Sequence, residues 1–295
     1  MSQCHACPRN CGADRASSRG YCGQSESFRI ARAALHMWEE PCISGTRGSG
    51  TVFFSGCNLG CVFCQNYRVS HRGQGMEISA DELIERMLAL QAAGAHNINL
   101  VTPTHFAVQL AEVLARVKPL LHIPVVYNTG GYEKPEILAL LAPYVDVWMP
   151  DFKFADRQLS ASYASAPDYP EIAERAIATM YALAGSAQFD AQGMMTRGVL
   201  VRHLVLPGCR KDSFAVLDRL ANAVPVCDVR LSLMSQYTPE FAMDAPYANL
   251  HRRVTTFEYE SVMAHAEKLG FIGYMQQRES ATAKYTPEFE GQDIL

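Results

Sequence analysis

The chain has 295 residues, 48% of them hydrophobic and 19% charged, which is enough apolar content for a sizeable core and too much for disorder over most of its length. A formal net charge of −4 and a pI near 6.1 exclude a broad non-specific nucleic-acid surface, because the clustered Lys and Arg it needs are lacking. No apolar run approaches bilayer-spanning length, and the opening MSQCHACPRN lacks the charged start and apolar core of a signal peptide. The expectation is a soluble, cytoplasmic chain with neither nucleic-acid nor membrane partners.

In a reducing cytoplasm ten cysteines point to metal ligation before disulfides. Residues 1–50 are rich in Cys, Gly and Arg with little apolar periodicity, so they are expected to form a small metal-stapled cap and connector. Within them Cys4, Cys7, Cys11 and Cys22 supply four thiolates, sufficient to close a metal site alone. Zinc suits the compact four-thiolate arrangement, whereas Cys7-Pro8 suits a second iron–sulfur cluster; spacing leaves both open.

From residue 51 onward short apolar runs alternate with amphipathic patterns, the signature of βα units around a parallel sheet. Strands are expected at 51–56, 97–102, 123–128, 145–150, 198–206 and 228–234. About six units make an α/β partial barrel over 51–277, short of an eight-stranded one. Among the intervening helices, Ser79 with Glu82 and Thr255 with Glu258 read as capping boxes. Pro119 ends the helix begun near Phe106, and Pro135 opens the next. Two more helices are expected near 170–184 and 212–223. Residues 278–295 read as a polar C-terminal tail.

Directly after the first of these strands come Cys57, Cys61 and Cys64, spaced C-x3-C-x2-C. Their thiolates emerge where βα barrels build active sites. A four-iron cluster normally takes four thiolates, so three local ones leave one iron open. An open iron can chelate the amino and carboxylate groups of S-adenosylmethionine (SAM) and pass an electron to its sulfonium. The competing reading is a structural zinc site with a remote fourth ligand.

With this triplet the chain resembles the radical SAM superfamily, in particular the activating enzymes of glycyl radical enzymes such as that of pyruvate formate-lyase. The likeness runs from about Gly45 to Gln236 and includes the segments CHACPRNCG and ISGTRGSGTVFFSGCNL. It implies a [4Fe-4S] cluster on the triplet, SAM as cofactor, and an oxidoreductase-like enzyme that makes a 5′-deoxyadenosyl radical. The partners implied are an electron donor such as flavodoxin or ferredoxin, and either a glycyl radical enzyme or another protein, peptide or small metabolite as substrate. A non-catalytic iron–sulfur or zinc protein is the rival class.

The resemblance also assigns cofactor-binding positions. Phe63 takes the place of an aromatic residue against the adenine. Thr102 precedes Pro103-Thr104-His105, which stands where the family has Gly-Gly-Glu. Asn128 and Thr129 begin a stretch similar to the activases' Asp-Thr-Asn-Gly, with an amide for the acid. Asp151 and Lys153 match Asp-x-Lys beside the SAM carboxylate, and Arg202 matches a strand-five Arg able to hold ribose oxygens or an acidic substrate group. The activases' sixth-strand His falls near Gln236 or Tyr237. No catalytic residue is assigned. Cys42, Cys209 and Cys227 are ungrouped, and lone cysteines are usually buried apolar residues, though Cys209 follows Pro207-Gly208 at the mouth end of the fifth strand; His36, His71, His96 and His122 read as structural or surface residues.

Overall fold

The computed structural model describes residues 3–276, so the tail expected over 278–295 lies outside the described residues. The strands are β1 (Phe28–His36), β2 (Ser49–Phe54), β3 (Met76–Ile78), β4 (Ile98–Val101), β5 (Val125–Thr129), β6 (Val147–Pro150), β7 (Gln188–Phe189), β8 (Met195–Leu204), β9 (Arg230–Met234) and β10 (Gly273–Met275). They form one sheet in the order β10-β9-β8-β6-β5-β4-β2-β1-β3, with β7 pairing β8. From β2 to β10 along this order every neighbour is parallel, the pattern of a partial α/β barrel. Each of the six expected strands is there.

The antiparallel pair β1 and β3 extends the sheet beyond β2. β1 falls inside the stretch read as cap and connector. Its register with β2 shifts between Ile30 and Arg32, and a bulge of that kind breaks the in–out alternation that would have marked a strand.

The helices are α1 (Pro41–Ser44), α2 (Tyr67–Ser70), α3 (Ala80–Ala92), α4 (Ala107–Val117), α5 (Pro135–Leu141), α6 (Arg157–Ala164), α7 (Tyr169–Ala184), α8 (Arg210–Ala223) and α9 (Thr256–Leu269). Their ends follow local chemistry. Ser79 Oγ accepts from Glu82 N at 3.2 Å while Glu82 Oε2 accepts from Ser79 N at 2.7 Å, a closed capping box on α3. Thr255 and Glu258 make the same device on α9, which ends at Gly270 with φ 86°. Among the described residues no helix is long and apolar enough to cross a membrane.

Two apolar layers hold the sheet. Outside it, Leu83, Met87, Leu110, Leu114, Ile177 and Leu217 belong to one continuous buried core of helices packed on strands. Inside, Cys42 and Ile43 of α1 pack with Val126, Val147, Met149, Met195 and Leu200, plugging the barrel where its parallel strands begin. The chain therefore closes the lower end with α1 and leaves the carboxyl ends of the strands to build a site.

Candidate functional site

A cavity of about 250 Å³ opens at those carboxyl ends. The loop after β2 lines one wall with Cys57, Cys61 and Cys64, and the ends of the strands line the rest with Phe53, Val101, Asn128, Asp151, Arg202 and Met234. Cys61 is buried and the other two thiols are half-buried. Burial pushes all three thiols up, Cys61 to about 12, so without a bound cation they stay protonated. The loop is ready to hold them as thiolates. Leu59 N donates to Cys57 Sγ at 3.3 Å and Ser70 Oγ lies 3.2 Å from Cys64 Sγ.

Asp151 and Lys153 follow the end of β6 and alternate with Phe152, which is buried in the core while they point the other way. Lys153 Nζ contacts Asp151 Oδ2, and both side chains face the cavity. Arg202 of β8 ties the layer together. Its Nε donates to Asp151 Oδ1 at 3.0 Å, Nη1 to Glu39 Oε2 at 3.3 Å and Nη2 to Asn128 Oδ1 at 2.7 Å. Burial alone would raise the Asp151 carboxyl, but Lys153 and Arg202 hold it below the ordinary carboxylate value. Against its own burial, Asp151 in turn pushes Lys153 above the usual amine range. The pair is thus fixed as carboxylate and ammonium.

The structure brings most of the sequence-assigned positions to this cavity. Phe63 lines it while packing edge-on to Phe154 and Tyr237, with centroids 6.3 and 6.2 Å away, so cavity wall and core packing are the same role. Thr102 stands at the mouth with φ 57°, a backbone state that β-branched residues seldom adopt. Thr129 faces the cavity and its hydroxyl donates to buried Glu133. Gly130 leaves room, since an ideal Cβ there would lie 2.9 Å from Leu59 Cδ1 and 3.7 Å from Lys153 Cε.

Other assignments change. His105 is buried away from the cavity lining, with Nε2 2.7 Å from the Ser55 carbonyl and its ring against Phe106, so it acts as a packing residue. Three of the five N–H donors of Arg202 serve protein acceptors, which makes it first an organiser of Asp151, Asn128 and Glu39. Gln236 lines the cavity whereas Tyr237 is buried with its hydroxyl on the Leu250 carbonyl. Cys209 lines a separate groove beside α6 and α8.

Sequence reasoning missed the end of β1, where His36 was read as structural or surface, and the segment after it. His36, Trp38 and Glu39 line the cavity, and Glu39 Oε1 accepts from Asn99 Nδ2 at 3.0 Å. Glu39 is recruited by residues 60 to 163 positions away, a pairing no local motif signals. Gln65, beside the last cysteine of the triplet, also went unnoticed; its side chain donates to the Gln236 carbonyl at 3.2 Å.

Among the described residues no three His, Cys, Asp or Glu side chains are gathered tightly enough to hold a single metal ion. A four-iron cluster asks for something else, with each thiolate on its own iron and the three spread along one wall. The donor set of Cys57, Cys61 and Cys64, all facing one cavity beside a fixed ammonium, fits that group.

The comparisons agree with this geometry. Residues 51–184 match the Radical SAM superfamily. The uncharacterized protein MJ0674 of Methanocaldococcus jannaschii is 29% identical over 287 residues, 91% of this chain and 75% of that protein. SuiB of Streptococcus suis bound to its precursor peptide SuiA gives a TM-score of 0.51 at 12% identity, covering 75% of this chain and 46% of that one. SuiB bound to S-adenosylmethionine gives 0.50 at 12%, covering 75% and 48%. At such identity the likeness is one of fold, and this chain spans about half the length of SuiB.

Proposed function

We propose, from the match of residues 51–184 to the radical SAM superfamily, that the chain is an enzyme that cleaves SAM reductively and uses the product to take hydrogen from a substrate. A four-iron cluster on Cys57, Cys61 and Cys64, once bound, supplies one electron to the sulfonium of SAM, which parts into methionine and a carbon radical. The protein's share is to hold and shield. The three thiolates anchor the cluster, and Lys153 presents an ammonium, steadied by Asp151, to the SAM carboxylate. Phe53, Phe63, Val101 and Met234 give the cavity apolar walls that keep water from a reactive carbon.

The observation that carries the reading is the placement of the triplet and the Asp151–Lys153 pair on the same cavity. Reconstitution without oxygen, followed by SAM and dithionite, should yield 5′-deoxyadenosine. An intact cluster that forms none overturns it.

For the substrate, activation of a glycyl radical enzyme is the first reading, with flavodoxin or ferredoxin as electron donor. A peptide substrate is the second. It is favoured by the fold shared with SuiB, which binds a precursor peptide, and by Trp38, a cavity-lining residue 56% exposed where the cavity meets the surface. Of zinc and a second iron–sulfur cluster, the two readings open for the N-terminal thiolates, the cluster is favoured, since no three of them are gathered for a single ion.

A further inference from the structure

The N-terminal cap has almost no apolar core. Between residues 3 and 26 the buried side chains are Ala6, Cys7, Arg15, Cys22 and Gln24. So little burial does not hold a fold without a crosslink. Thiols stand where one can be made. An ideal Cβ on Gly20 would lie 3.3 Å from Cys11 Sγ and 3.5 Å from Cys22 Sγ. Cys4 joins the same knot, its N–H donating to the Ala13 carbonyl at 2.9 Å and its carbonyl accepting from Gly12 N at 3.2 Å.

One side chain of this knot reaches the radical site. Arg9, between Cys7 and Cys11, donates from Nε to the Asn58 carbonyl at 2.7 Å, from Nη2 to the Ala164 carbonyl at 3.3 Å and from Nη1 to the Ser165 carbonyl. Its guanidinium lies 4.1 Å from the Tyr21 ring centroid and 5.2 Å from that of Tyr132. Asn58 sits inside the triplet loop, and that loop leans on the same end of α6, with Gly60 N on the Ala164 carbonyl at 3.1 Å. The cap also touches the loop's start. Gly56 has φ 84°, and an ideal Cβ there would lie 2.5 Å from the Cys22 carbonyl oxygen, so the two cysteine-bearing segments abut.

We propose that a second iron–sulfur cluster on Cys4, Cys7, Cys11 and Cys22, whose thiols like those of the triplet are spread too widely for a single ion, fixes Arg9 against the loop of Cys57, Cys61 and Cys64. Occupancy of the N-terminal site then sets how firmly the second site retains its cluster. The inference rests on reading the triplet as cluster ligands. Arg9 is a positioning residue, acting through the backbone carbonyls of Asn58, Ala164 and Ser165.

The test follows iron release to a chelator from the reconstituted full chain, with iron, sulfide and zinc counted per protein. A chain with Cys57→Ala, Cys61→Ala and Cys64→Ala counts the N-terminal metal alone; iron with sulfide is expected, and zinc alone overturns the proposal. Cys7→Ser should lose that metal and release the triplet's iron about tenfold faster. Arg9→Met should keep the N-terminal metal yet show the same acceleration, and Arg9→Lys should recover only part, since one ammonium cannot span three carbonyls. Wild-type release from Arg9→Met overturns the proposal, as does a metal-free N-terminus in wild-type protein whose triplet cluster is firmly held. Wild-type protein that binds no iron at the triplet fails differently and sinks the radical reading itself.

Discussion

Lys153 keeps its charge on a largely buried side chain because Asp151 pairs with it and Arg202 holds Asp151 from the other side. A SAM carboxylate beside that ammonium gains a charge-assisted hydrogen bond worth about 1.5–3 kcal/mol. Lys153→Met deletes the charge and keeps much of the stem's volume, so SAM affinity should fall roughly ten- to a hundredfold while the cluster still assembles. Equilibrium binding to the reconstituted variant decides; unchanged affinity makes Lys153 a structural cation only. Arg202→Met should act differently, leaving Asp151, Glu39 and Asn128 without their shared donor. Breaking a buried ion pair costs about 3–5 kcal/mol, to be read in urea unfolding of the apoprotein. A loss under about 1 kcal/mol would show that water replaces Arg202 there.

Glu133 adds a pH dependence. Burial pushes its carboxyl up to about 7, although the hydroxyls of Thr104 and Thr129 pull the other way. The folded chain therefore binds this proton more tightly than the unfolded chain does. Its stabilising contribution is complete below the ordinary Glu value, and is lost as pH rises from there to about 7. The difference amounts to about 3 kcal/mol. Glu133→Gln keeps an acceptor for both hydroxyls and removes the titration, so the loss in stability between pH 4.5 and 7 should be smaller than in wild type by that amount. Parallel curves for the two proteins would refute it.

At the scale of elements, local rules carried far. Ser79, Glu82, Thr255, Glu258 and Pro135 mark helix starts by chemistry confined to one turn, and the structure has them there. Ser79→Ala should cost about 1 kcal/mol in apoprotein stability and leave iron binding untouched. A change in cluster content would instead tie α3 to the site. What stayed hidden is non-local. The strand Phe28–His36 is masked by its register shift, and the short α6 has a weak apolar stripe even though Asp156 caps it. Glu39 became part of the site because Arg202 and Asn99 meet it across the barrel. The triplet was legible because three cysteines that face one cavity lie within eight residues. His105 was misplaced because a position beside a strand end does not say which way its ring turns.

For the whole molecule, α1 plugs the barrel at one end and the cysteine-bearing cap lies over the triplet loop at the other. The cavity between them holds the thiols and the buried ion network. In the function proposed above, Cys57, Cys61 and Cys64 leave one iron of their cluster open to SAM. Electron–nuclear double resonance of the reduced, reconstituted protein with SAM labelled in its methionine amino nitrogen and carboxylate tests this most directly. Both labels should couple magnetically to the cluster in wild-type protein, and the signal should vanish in Cys61→Ala. A fully assembled cluster with no coupling to either label would show that SAM does not bind an open iron of it.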